Sequence, residues 1–108
     1  MQSSPEDKDW KLKLRYGKLT TPYSHFAVIA EGIVVETVEG FSCPLGTAFI
    51  SINAWAGDAD EAAEMIQDLA PQVGFSISGD IQIFTTEPVH PPEDRPYAYN
   101  IRLRPFRD

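Results

Sequence analysis

One stretch of the chain alternates at helical period, and everything around it alternates at period two. Ala59, Ala62, Met65, Ile66 and Leu69 recur at steps of three and four, which gathers them into one apolar stripe. Asp58 stands before the stripe with Glu61 three residues on, an Asp version of the capping box. Pro71 and Gly74 close it. The spacing predicts a helix over about 59–70. Three turns of amphipathic helix cannot bury their stripe alone, so the flanking segments must supply a sheet.

Those segments read as strands. In 10–19, Trp10, Leu12, Leu14 and Tyr16 alternate with Lys11, Lys13 and Arg15, the pattern of a strand wet on one face. Residues 23–31 and 33–39 are rich in aromatic and β-branched side chains around Gly32. They form either two short strands or one long strand with a glycine bulge. The segment GFSCPLG at 40–46 is a loop whose Phe41, Cys43 and Leu45 fold back on the core. Residues 47–55 alternate again. From Gly74 onward Phe75, Ile77, Ile81 and Ile83 keep one parity across Ser78-Gly79-Asp80, which favours a continuous strand over a hairpin there. Four prolines between Glu87 and Pro96 mark a rigid exposed loop. In 97–103, Tyr97, Tyr99, Ile101 and Leu103 are expected on one face, opposite Arg102 and Arg104.

The sum is an α+β domain at 10–108, behind a flexible polar tail at 1–9. It holds an antiparallel or mixed curved sheet of about five to six strands, with one main helix on one face. The strand at 47–55, the helix and the strand from 74 can make a βαβ crossover. A near-barrel wrapped on the helix is the rival.

Charge narrows the function classes. The 108 residues carry 9 Lys and Arg against 16 Asp and Glu, a net charge of -7. That sign argues against a nucleic acid partner. No Lys or Arg occurs between Lys18 and Arg95, so the chain is dipolar, with its basic residues near both ends. Lys11, Lys13 and Arg15 would join Arg102 and Arg104 in a positive stripe if the first and last strands are neighbours. On the helix Asp60, Glu64 and Asp68 follow at steps of four, a carboxylate ridge suited to a basic partner.

Chemistry has few footholds. Cys43 is the single cysteine, which excludes an internal disulfide and reads as a small buried hydrophobe. His25 opens the apolar FAVIA run and is expected to be hydrogen-bonded and partly buried rather than catalytic; His90 lies in the proline-rich loop. Their spacing gives no zinc motif, and the scattered glycines assemble no phosphate cradle, so neither metal nor cofactor is expected. The aromatic residues beside the basic strands read as core. Trp55, Phe84 and Phe106 fall off the main apolar parities, and an exposed patch built from them would mark an interface.

The opening MQSSPEDKDW lacks the charged-then-apolar pattern of a secretory leader, and no stretch is long and apolar enough for a membrane span. A cytoplasmic location follows as an expectation. The leading functional expectation is a noncatalytic interaction protein, in its narrower form an inhibitor or immunity-type protein. It would bind a basic partner through Asp60, Glu61, Glu64 and Asp68, with Trp55 and His90 at the edge. The alternatives are a small enzyme or ligand-binding protein with a pocket between sheet and helix, and a homodimeric subunit paired through an exposed sheet edge.

Overall fold

The computed structural model describes residues 9–106. The elements run α1 (Trp10–Arg15), β1 (Ser24–Val34), β2 (Gly46–Ala56), α2 (Ala59–Gln72), β3 (Phe75–Thr85) and β4 (Tyr97–Pro105). The four strands form one open sheet in the order β3-β1-β2-β4, and every neighbouring pair is antiparallel. Four strands replace the expected five to six, and the sheet is open rather than barrel-like. The tail reading for 1–9 falls outside the described residues except at Asp9.

The core lies between α2 and one face of the sheet. β1 contributes Phe26, Val28, Ala30 and Val34, and β2 contributes Ala48, Ile50, Ile52, Ala54 and Ala56, all buried. Ala62, Ile66 and Ala70 are the buried stripe of α2, with Met65 and Leu69 packed at its flanks. Ala59, expected in that stripe, is exposed in the first turn. Asp58 Oδ1 accepts the Glu61 N–H at 2.8 Å, and Glu61 Oε1 accepts the Gly57 N–H at 2.6 Å. The cap therefore closes as the spacing predicts. Pro71 sits inside the last turn instead of ending the helix. The turn is finished by the amides of Val73 and Gly74, which donate to the carbonyls of Ala70 and Pro71. Gly74 then takes φ 77°, and its carbonyl accepts the Val35 N–H at 2.8 Å, tying the helix exit to the end of β1.

β2 and β3 run parallel to each other with β1 between them, so β2-α2-β3 is a crossover that skips one strand. β1 is a single strand. A Cβ on Gly32 would lie 2.1 Å from the Ser76 carbonyl oxygen, so glycine here permits close approach of β3. The irregularity belongs to β3. Ala30 pairs with Ile81 and Gly32 with Ile77, which loops Ser78, Gly79 and Asp80 out opposite Glu31. Two extra residues preserve parity, so Phe75, Ile77, Ile81 and Ile83 stay on the core side. In the 40–46 loop Cys43 is buried and Phe41 packs against the core, while Leu45 is exposed.

Two expectations are corrected. Residues 10–15 are a helix, not the start of a strand. Trp10, Leu12, Lys13 and Arg15 favour helix or tolerate it, none of the six is β-branched, and Trp10 and Leu14 are helical neighbours as well as alternating ones. Its Lys11 and Arg15 line a groove with Glu87 and Pro88, away from Arg102 and Arg104, so no joint basic stripe forms. The second correction is in β4. Ser51 pairs with Arg102 but Asn53 with Tyr99, so β4 holds one extra residue, and Asn100 takes φ 54°. One inserted residue reverses parity. Ile101 and Leu103 face the core, whereas Tyr97 and Tyr99 share the other face with Arg102 and Arg104.

Candidate functional site

α2 covers one face of the sheet; the other carries the candidate site. Its odd-numbered β1 and β2 residues, from His25 and Ala27 to Ile33 and from Phe49 to Trp55, point away from the core. The face has two halves.

The first half is covered by the proline-rich loop. His25 is 4% exposed and pairs across the strands with Trp55. Its Nδ1 lies 3.2 Å from the Thr86 carbonyl and 3.1 Å from Thr86 Oγ1, and its Nε2 lies 2.6 Å from the Tyr99 hydroxyl. A neutral ring satisfies all of these, with Nδ1–H donating to the carbonyl and the Tyr99 hydroxyl donating to Nε2. The Tyr99 oxygen in turn accepts the amides of Val89 and His90 at 3.1 and 3.3 Å. Trp55 Nε1–H donates to the His90 carbonyl at 2.9 Å, and the Tyr97 hydroxyl donates to the Pro91 carbonyl. Burial holds the imidazole below the usual histidine range, against a smaller opposing effect of the Thr86 hydrogen bond. Burial, then the Glu93 charge, then Tyr99 push the Tyr97 phenol up to about 12. This network is a clasp that fixes the loop, and its polar atoms are consumed in doing so.

The second half is open. Ile33, Phe49 and Phe106 are each between 37% and 46% exposed, while Phe84, also exposed, stands on β3 in the row of Ala27, Asn53 and Tyr99. The Phe49 and Phe106 rings stack with centroids 4.5 Å apart. A shallow depression of about 460 Å³ is lined by Ile29, Phe49, Ser51, Gln82, Arg102 and Arg104. Phe106 thus stacks on Phe49, Phe84 is exposed apart from them on β3, and Trp55 is buried beneath the loop, so these three residues do not build one patch.

The anticipated partner-binding residues do not form one surface. Asp60, Glu64 and Asp68 are exposed on α2, on the far side of the sheet. Glu61 is committed to the helix cap. Trp55 and His90 belong to the clasp, where the His90 ring meets Tyr99 at 4.4 Å. Cys43 is buried. Among the described residues no group of three or more His, Cys, Asp or Glu side chains is placed to hold a metal ion, and no helix is long and apolar enough to cross a membrane.

The fold and site define an α+β domain with one helix-covered and one partly uncovered sheet face. No family model, curated protein or solved structure matches the chain.

Proposed function

We propose that this chain is a noncatalytic protein-interaction module, and that the uncovered half of the sheet is its contact surface. The observation that carries the reading is the stacked, exposed pair of Phe49 and Phe106, with Phe49 lining the depression beside Ile29, Arg102 and Arg104. Apolar aromatic groups with arginine at their rim are the composition of interface centres, and clustering distinguishes them from scattered surface residues. The narrower inhibitor or immunity-type role would use the acidic flank of α2. It is supported by the exposure of Asp60, Glu64 and Asp68 and by the lack of Lys or Arg in 19–94.

The small-ligand reading draws on a groove of about 520 Å³ where the exit of α2 meets β1 and β3. Its lining includes Val35, Glu36, Gln67, Pro71 and Phe75, with Glu36 as its one ionisable side chain. Ser76 is its one hydroxyl, and neither a histidine nor a second carboxylate lines the groove to activate it.

Affinity capture from lysate with three baits separates these readings. The baits are the native chain, Phe49→Asp, and a variant with Asp60, Glu64 and Asp68 changed to Lys, each first shown to be folded by circular dichroism. A stoichiometric partner lost only with Phe49→Asp supports the sheet face. Loss only with the lysine variant moves the contact to α2, and capture indifferent to both removes the interaction reading for either surface.

A further inference from the structure

We infer that the uncovered sheet face pairs with the same face of a second copy of this chain, about a two-fold axis parallel to the strands. The inference names the partner for the interaction reading above and rests on it.

Register places the charges. One row across the sheet reads Gln82, Ile29, Ser51 and Arg102, from β3 to β4. The next reads Glu31, Phe49 and Arg104, with Asp80 in the β3 bulge beyond Glu31. A Cβ on Gly79 would sit 2.9 Å from both Cβ and Oε1 of Glu31, so the Glu31 carboxylate extends over that glycine toward the β3 edge. In these two rows the carboxylates lie toward the β3 edge, Ile29 and Phe49 in the middle and the arginines on β4. Among the described residues none of Glu31, Asp80, Arg102 and Arg104 takes an ion pair, which leaves all four available.

This arrangement complements itself under one rotation. A two-fold axis parallel to the strands lays each β4 edge over the other copy's β3 edge at the same height. Arg104 then meets the Glu31 carboxylate, Arg102 meets Gln82, and Phe49 on central β2 comes across from its own counterpart. An axis across the strands would instead lay arginine edge on arginine edge. Isologous contacts of this kind need a self-complementary patch, and opposite charges fix which rotation is used. A nucleic acid strand fits less well, because two carboxylates share the stacking surface and the net charge is -7. The free area is about 20 by 20 Å per copy, from strand spacing and rise, or about 800 Å² over both, which suits a weak, transient dimer, micromolar at its tightest, rather than an obligate one.

Sedimentation equilibrium of the full chain up to about 200 μM, well above a micromolar Kd, tests the inference. The mass is expected to rise from 12.0 kDa toward about twice that value. Phe49→Asp, folded by circular dichroism, should stay monomeric. Arg104→Glu should weaken association at least about tenfold, and adding Glu31→Lys to it should restore most of the loss. A native chain that is monomeric throughout overturns the inference. So does a dimer indifferent to Phe49→Asp, or a double variant no better than Arg104→Glu. A monomeric chain that still loses a captured protein on Phe49→Asp sinks only the second copy and leaves the interaction reading standing. Binding of a single-stranded oligonucleotide that is lost with Phe49→Asp would overturn both.

Discussion

The Tyr99 hydroxyl serves three groups at once: it donates to His25 Nε2 and accepts two loop amides, and so anchors the loop to the sheet. Tyr99→Phe removes it without changing shape and leaves a buried imidazole nitrogen unpartnered. The expected cost is about 1–3 kcal/mol in thermal or urea unfolding, with faster proteolysis inside 87–96. His25 sets the pH response. Its folded-state pKa lies below the ordinary histidine value of 6.5, so the unfolded chain binds the proton more readily. Stability should fall as pH drops through about 6.5 and below, and His25→Gln should flatten that part of the curve. Tyr97 acts at the other end of the scale. With its phenol at about 12 rather than 10.0, the unfolded chain loses that proton first. Stability is lost as pH rises above about 10, and ultraviolet titration should find one phenol ionising late. None of these links was readable in advance, because His25 and Tyr99 are 74 residues apart.

The helix and the core strands were legible because their periods persist over many residues and their end signals agree. α1 was not. Over six residues Trp10, Leu12 and Leu14 fit a strand as well as a short helix, and the absence of β-branched side chains was the clue against the strand. β4 misled for a different reason: parity is a running count, and one bulge resets it. Asn100 is among the residue types that tolerate a left-handed backbone, but an asparagine in a strand does not announce a bulge by itself. The bulge decides the character of the whole face, since it sets the tyrosines beside the arginines. Asn100→Val should destabilise the domain by about 1–3 kcal/mol through backbone strain, whereas Asn100→Gly should cost little; chemical unfolding of the pair checks this. In α2, Ile66→Asp brings a charge into a fully buried position and should abolish cooperative melting. A retained sharp transition would mean that Ile66 is not in the core.

At the scale of the molecule, charge is divided by the sheet. Exposed carboxylates lie along α2, while Arg102 and Arg104 stand on the opposite face. Changing Asp60, Glu64 and Asp68 to Lys should leave the melting temperature nearly unchanged, because the three lysines repel at steps of four as the carboxylates do, by only a few tenths of a kcal/mol. A large loss of stability in calorimetry would show that these side chains support the fold. The bulges at 78–80 and at Asn100 fall on the two edge strands, β3 and β4. A broken edge is a poor template for a further strand, so the sheet resists lengthening by hydrogen bonding with a neighbour. Ribbon-like growth is thereby obstructed at both margins of a chain that nonetheless exposes several phenylalanines. The proposed contact through the flat side would cover exposed rings and close on itself, so that association would end at a discrete pair instead of a fibre.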